Sequence, residues 1–274
     1  MEFRVDPLSG RKVVIAPGRA FRPGAARSRW DEPDRQELDE CPFCAGREDR
    51  TPPETLRLPR DGAWRVRVVP NKYPAFDRQE VVVHTPEHLR SVAELDNAQL
   101  DLVAEAWRRR RAAEPGGYLL ACINEGRQAG ASLPHSHSQL VWLPKTPPAV
   151  AAERNLDRML EGTLVSEQNG IHAVSPVAAR APYELRLAPR ERRGNAFDDH
   201  LLGPALQLLA ALVRRLRHLE GPVPFNAWLH DGEWWHLHFL PRLTVPAGIE
   251  LGAGIDVNPL PPAEAARRLS ELSP

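Results

Sequence analysis

Gly130-Ala-Ser-Leu-Pro-His-Ser-His-Ser-Gln139 runs directly into the apolar stretch Leu140 to Leu143. Residues two apart in a strand share a face, so His135 and His137 present both imidazoles to one side. Two imidazoles facing one site suit metal binding or nucleophilic catalysis better than packing. The bland alternative is a pair that merely satisfies hydrogen bonds at a strand edge. Gly130, Ser132 and Gln139 beside it argue for chemistry instead.

A second His-x-His, His236-Leu-His238, shows that the surrounding plan repeats. Before the first pair, apolar residues at helical spacing (Leu95, Leu102, Val103, Ala106) predict a helix over Leu95 to Arg111, followed by strands over Tyr118 to Ile123 and Gln139 to Leu143. Around the second pair, a strand over Tyr183 to Leu187 precedes a long helix, Asp199 to Leu219, and strands over Phe225 to Leu229 and Trp234 to Leu240. Asn124 stands eleven residues before His135, and Asn226 ten before His236; Pro144 and Pro241 close the two strands. This parallel predicts a duplicated α+β unit, its two strand sets joined in one antiparallel sheet with flanking helices. The boundary falls after Pro148, giving halves 1–148 and 149–274 in one compact unit, with a short helix over Ala149 to Leu160 opening the second. The chemistry need not be duplicated, because Leu240 stands where the first half has Gln139. Shorter strands are expected at Arg11 to Ile15, Trp64 to Val69 and Glu80 to His84, and an exposed polar loop at Gly24 to Glu40.

Composition narrows the function. A chain of 274 residues can bury a substantial core, and its formal net charge of zero removes the electrostatic case for nucleic acid or an acidic membrane. The apolar runs are too short and interrupted to span a bilayer, and the N-terminus has no signal-peptide core, so the expectation is a cytoplasmic protein. Three cysteines cannot build a disulfide framework. Cys122 reads as a small buried hydrophobe, whereas Cys41-Pro-Phe-Cys44 reads as half a zinc site or a redox pair. Two intervening residues let both sulfurs reach about 2.3 Å from one ion. Two more ligands are needed, for which His88 and His135 are the best candidates and His84 the rival; the bland reading is a surface turn without metal. If His135 is held by metal, His137 is left free. An imidazole with a pKa of about 6.5 is largely unprotonated at neutral pH and can attack phosphorus without a separate base. A backbone carbonyl accepting from Nδ1 would leave Nε2 for the attack, with Gln139 donating to the phosphoryl oxygens.

Taken together, Asp6-Pro-Leu-Ser-Gly-Arg11, Arg19-Ala-Phe-Arg-Pro23, Cys41-Pro-Phe-Cys44, Asn71-Lys-Tyr-Pro74, Thr85-Pro-Glu-His88, Asn124-Glu-Gly126, the His135 to Gln139 core and His236-Leu-His238 follow one order. In these motifs, over nearly its whole length, the chain resembles the galactose-1-phosphate uridylyltransferase family, a duplicated branch of the histidine-triad superfamily. The resemblance implies a duplicated histidine-triad-like fold and a nucleotidyltransferase that works by double displacement. It implies His137 as the nucleophile of a covalent nucleotidyl-histidine, with Gln139 stabilising the phosphoryl group. It also implies a structural zinc held by Cys41, Cys44, His88 and His135, which decides for His88 over His84. Arg19 and Arg22 match phosphate-binding positions, and Asn71, Asn124 and Ser132 match positions in the nucleotide pocket. Glu153, His230, His236 and His238 match a second site that holds zinc or iron in some members. A homodimer is implied as well. The bland readings are a solvated helix position for Glu153 and surface charges for Arg19 and Arg22.

Two departures bear on the substrate. The family's transferases read His-Pro-His-Gly-Gln, whereas His135-Ser-His-Ser-Gln139 resembles the ADP-glucose phosphorylase branch, as does Ala247 to Asn258. Ala253 and Gly254 fall near the positions where the transferases use an aromatic residue and a glutamate to hold the hexose. The leading expectation is exchange between a UDP-hexose and a hexose 1-phosphate, as in galactose and wider carbohydrate metabolism. Phosphorolysis of ADP-glucose or a diadenosine polyphosphate stands close behind. The substrates are therefore a nucleotide sugar or dinucleotide with a sugar phosphate or phosphate. A different class of answer is a zinc-stabilised nucleotide-binding protein without turnover.

Overall fold

His137 opens one strand and His236-Leu-His238 another in a single ten-stranded sheet, with His135 just before the first of them. The computed structural model describes residues 1–21 and 34–272. The N-terminal half supplies β3 (Leu56–Leu58), β4 (Val66–Pro70), β5 (Gln79–Val83), β6 (Tyr118–Glu125) and β7 (His137–Leu143). The C-terminal half supplies β8 (Gly162–Gln168), β9 (Ile171–Pro176), β10 (Leu185–Pro189), β11 (Phe225–His230) and β12 (His236–Pro241). Their order, β3-β4-β5-β7-β6-β11-β12-β10-β9-β8, is the same sequence of strands read outward from the β6–β11 seam. Every pairing in this sheet is antiparallel. Asn124 and Asn226, equivalent by spacing, are register partners at the seam, and Asn226 Nδ2 donates to Asn124 Oδ1 at 2.7 Å. The chain is thus α+β, a duplicated histidine-triad-like fold with an antiparallel sheet and flanking helices.

One helix from each half covers the same face: α2 (Asn97–Ala113) and α4 (Leu202–Glu220). Their buried residues, including Leu100, Val103, Trp107, Leu206 and Leu209, join Val82, Leu119, Leu140, Phe225 and Phe239 of the strands in one core. Each such aliphatic or aromatic side chain contributes roughly 1.5–3 kcal/mol on burial. Asp96 caps α2, its Oδ1 accepting from the Gln99 N–H at 2.6 Å. Near the other end, Arg110 grips Glu80 of β5 through two bonds of 2.7 and 2.8 Å, so the helix cannot slide over the strand beside β7. At the turn after β6, Gly126 has φ 83°, and a Cβ there would lie 2.8 Å from Pro224, so the close approach of the two halves requires glycine.

A separate three-stranded sheet joins β1 (Glu2–Val5), β2 (Lys12–Ile15) and β13 (Asp256–Asn258), with β13 parallel to β2. Its short strands carry little periodicity, and only β2 matches an expected strand. Helices α5 (Gly248–Ala253) and α6 (Pro262–Ser270) follow the last strand of the large sheet. The expected helix Ala149 to Leu160 is mostly absent: α3 spans only Pro148–Ala151, and a 3-10 turn covers Leu156–Arg158. Between them the Leu8 carbonyl accepts the Arg154 and Asn155 N–H groups, which diverts the chain from helical bonding. The stretch read as an exposed loop to Glu40 ends instead in α1 (Arg35–Glu40), where the Asp34 side chain accepts from the Glu37 N–H. Among the described residues no helix is long and apolar enough to cross a membrane.

Candidate active site

The face of the large sheet opposite α2 and α4 carries the candidate residues. Strand alternation puts His137 and Gln139 on that face and turns Ser138 to the helices, where the Trp107 indole N–H donates to its Oγ at 2.9 Å. His137 is buried and in register with Val83 of β5. Its Nδ1 lies 2.7 Å from the His135 carbonyl, which can only accept, so Nδ1 carries the proton and Nε2 the lone pair. Burial pushes this imidazole below its usual range, against the opposing effect of that carbonyl, and keeps the ring neutral. Phe43, from the turn between the two cysteines, packs edge-on against both His137 and His135, with centroids 5.4 and 5.9 Å away. Gln139 accepts at Oε1 from Gln79 Nε2 on β5, which turns its own amide donors away from Gln79.

Cys41, Cys44, His88 and His135 come together with their donor atoms within 4.8 Å of one another. Cys41 Sγ lies 3.4 Å from His135 Nδ1, and Cys44 Sγ 3.4 Å from His88 Nδ1. The distal nitrogen of each imidazole meets an acceptor at 2.9 Å, the Thr85 carbonyl for His135 and the Glu37 carboxylate for His88. Both Nδ1 atoms therefore turn lone pairs inward, the wiring a metal-bound histidine needs. Burial, then Cys41, pushes the Cys44 thiol up to about 12, so two thiolates here call for a dication. His84 is not among the donors and lies on the helix side of the sheet.

Glu153, His230, His236 and His238 form a second donor set within 4.8 Å. Glu153 Oε1 lies 2.9 Å from His230 Nδ1 and 3.3 Å from Nε2 of both His236 and His238. Burial would raise this carboxyl, but hydrogen bonds from the three histidines outweigh it and hold Glu153 well below the carboxylate range. His236 Nδ1 donates to the Trp234 carbonyl at 3.1 Å, as a ligand would. His230 differs: the Trp228 indole donates to its Nε2 at 3.0 Å, which keeps the proton on Nδ1, the atom facing Glu153. The set can hold a metal, with His230 less well prepared than the ligands of the first cluster.

The remaining expected residues scatter around these groups. Asn124 lines a cavity of about 410 Å³ over β6, β11 and β12, together with Asn226, Trp228, Arg180 and Arg242. Asn71 lies at the β4–β5 turn, its Oδ1 accepting from the Tyr73 N–H at 2.9 Å. Ser132 is exposed in the loop before His135. Arg19 sits on the 3-10 turn Pro17–Phe21 after β2, outside the large sheet, and Arg22 lies outside the described residues. Sequence reasoning did not single out Gln79, Glu37, Phe43 or Thr85. Phe43 and Thr85 stood inside quoted motifs, whereas Gln79 and Glu37 carry no local signal.

Residues 69–147 match the family model for the N-terminal domain of galactose-1-phosphate uridyl transferase. Across 99% of this chain and 93% of its own length, an ADP-glucose phosphorylase of Arabidopsis thaliana is 26% identical. A galactose-1-phosphate uridylyltransferase of Streptomyces lividans is 28% identical over 99% of this chain and 87% of its own. Among solved structures, an Arabidopsis thaliana ADP-glucose phosphorylase with bound ADP-glucose superposes with a TM-score of 0.87 at 26% identity, covering 99% of this chain and 98% of that one. A uridylyltransferase superposes with a TM-score of 0.70 at 26% identity, covering 99% and 98%. In sequence along its whole length and in fold, the chain resembles the galactose-1-phosphate uridylyltransferase family, alongside ADP-glucose phosphorylase.

Proposed function

We propose that this protein is a nucleotidyltransferase that moves a nucleoside monophosphate through a covalent bond to His137. The observation that carries this reading is the 2.7 Å bond from His137 Nδ1 to the His135 carbonyl, which leaves a neutral ring with Nε2 unprotonated. Nε2 attacks the α-phosphorus of a nucleoside diphosphate-sugar, a P–N bond forms as the P–O bond breaks, and the sugar 1-phosphate departs. The positive charge that develops on the ring is met by the His135 carbonyl, and the Gln139 amide donates to the phosphoryl oxygens. An oxygen of the acceptor phosphate then attacks, the P–N bond breaks, and His137 returns to its neutral tautomer. Each half-reaction exchanges one phosphate-type leaving group for another, so the intermediate is neither a deep trap nor a high barrier.

ADP-glucose with inorganic phosphate as acceptor is the preferred substrate pair, supported by the closer superposition on the ADP-glucose phosphorylase. Uridylyl exchange between hexose 1-phosphates is the second reading, supported by the 28% identity to a uridylyltransferase. Arg19 and Arg22 bind phosphate, and Asn71, Asn124 and Ser132 line the nucleotide pocket. Cys41, Cys44, His88 and His135 hold a structural zinc that anchors the strand start, and Glu153 with His230, His236 and His238 holds a second zinc or iron more weakly. The protein acts in the cytoplasm as a homodimer. Replacing His137 by Gly removes the nucleophile and leaves room for free imidazole. Nucleotidyl exchange should vanish in His137→Gly and return with added imidazole; activity unchanged in the unrescued variant contradicts the assignment.

A further inference from the structure

The two serines of His135-Ser-His-Ser-Gln139 turn their hydroxyls away from the candidate site. On the helix side of β7 they meet one side chain, His84, which is wholly buried just beyond the end of β5. His84 Nδ1 lies 2.9 Å from Ser136 Oγ, and its Nε2 lies 2.9 Å from Ser138 Oγ. Trp107 of α2 extends this chain of bonds, its indole N–H donating to Ser138 Oγ at 2.9 Å. A neutral His84 ring donates from one nitrogen and accepts at the other, so both of its nitrogens are engaged by the two serine hydroxyls. The backbone is tied to the same residues: the His84 N–H donates to the Ser136 carbonyl at 3.2 Å, and the Ser136 N–H to the Leu89 carbonyl at 2.7 Å. Gln99 of α2 donates to the His84 carbonyl.

We propose that His84 is a positioning residue that, through Ser136 and Ser138, fixes the backbone on both sides of His137 and aims the His135 carbonyl that sets the His137 tautomer. This rests on His137 being the nucleophile. The acceptor carbonyl belongs to the peptide that Ser136 completes, so a rotation of that peptide removes the partner of His137 Nδ1. A ring that loses this partner divides its proton between two nitrogens, and the fraction with Nε2 protonated cannot attack. The serines accordingly report on the scaffold behind the nucleophile rather than on contacts to a sugar.

The experiment compares the full-length, metal-loaded protein with His84→Leu/Ser136→Ala, which removes the bonded pair together and leaves Trp107 on Ser138. Three quantities are read: the melting midpoint, the rate and KM of nucleotidyl attachment from ADP-glucose, and the His137 tautomer by nitrogen-15 NMR. The expected result is a folded variant whose attachment rate at saturation falls about tenfold to a hundredfold, with KM within about threefold of wild type and the His137 proton on both nitrogens. A folded variant with the wild-type rate and a single Nδ1–H signal overturns the proposal. If the double variant unfolds, Ser136→Ala carries the same test, and a wild-type rate and spectrum overturn the proposal equally. His137→Asn run in parallel separates the two claims. Attachment that persists there defeats the nucleophile assignment, and the NMR arm still decides whether His84 positions the ring.

Discussion

Gln79 and Gln139 show how one side chain sets the direction of another. The Gln79 amide occupies Gln139 Oε1, leaving the Gln139 NH₂ as the group that can meet a phosphoryl oxygen. Gln79→Leu lets that amide rotate freely, so kcat should fall about tenfold while KM for the donor stays nearly constant; steady-state kinetics on one nucleotide sugar checks this. A rise in KM with kcat unchanged would show that Gln79 serves binding instead. At this scale His135 and His137 stood out by their spacing beside an apolar run, although the strand begins only at His137 and His135 precedes it. Gln79, sixty positions from its partner, did not stand out, since nothing local marks a contact made by strand register.

Helix α1 illustrates what an element can add to a site that it does not itself contain. Its Glu37 accepts from His88 Nε2 at 2.9 Å and from Arg90 at 2.7 Å, so a short helix in an apparently featureless polar stretch orients a member of the Cys41 donor cluster. Glu37→Ala should weaken retention of the metal at the Cys41 cluster by about tenfold to a hundredfold, measured by competition with a chromophoric chelator. Unchanged retention would make α1 a cover and no more. Five charged or polar residues and a lone Leu38 make no apolar stripe, which is why the sequence read as loop there. The opposite error, the overlong helix after Pro148, reflects the turn at Asp6 to Gly10, which no local pattern links to that stretch. The Leu8 carbonyl in that turn accepts from the Arg154 and Asn155 N–H groups and so carries Glu153 to the second histidine set.

Across the whole molecule the duplication is the deciding feature, and it was legible because both halves repeat one order of helix, strands and histidine pair. The mirrored strand order and the Asn124–Asn226 seam follow from it, whereas the small sheet of β1, β2 and β13 joins chain ends that no local pattern links. Glu125 lies at this seam, fully buried, with Oε2 accepting from the Val92 N–H at 3.1 Å and Oε1 lying 3.5 Å from Arg217 of α4. Burial, only partly offset by Ser91 and Arg217, pushes its carboxyl up to about 7. Between the unfolded value near 4.5 and about 7 the folded state holds the extra proton, so this group makes stability fall as pH rises through that window. Glu125→Gln should remove that slope, seen in urea unfolding at pH 5 and about pH 7.5; an identical slope in the variant would refute the assignment. The central claim, transfer through His137, is tested most directly by intact-mass measurement after incubation with ADP-glucose and, separately, UDP-glucose. The account predicts a gain of one nucleoside monophosphate, larger with ADP-glucose, mapped to His137 and absent from His137→Asn. No gain from either donor in folded, metal-loaded protein, or a gain mapped to another residue, would contradict it.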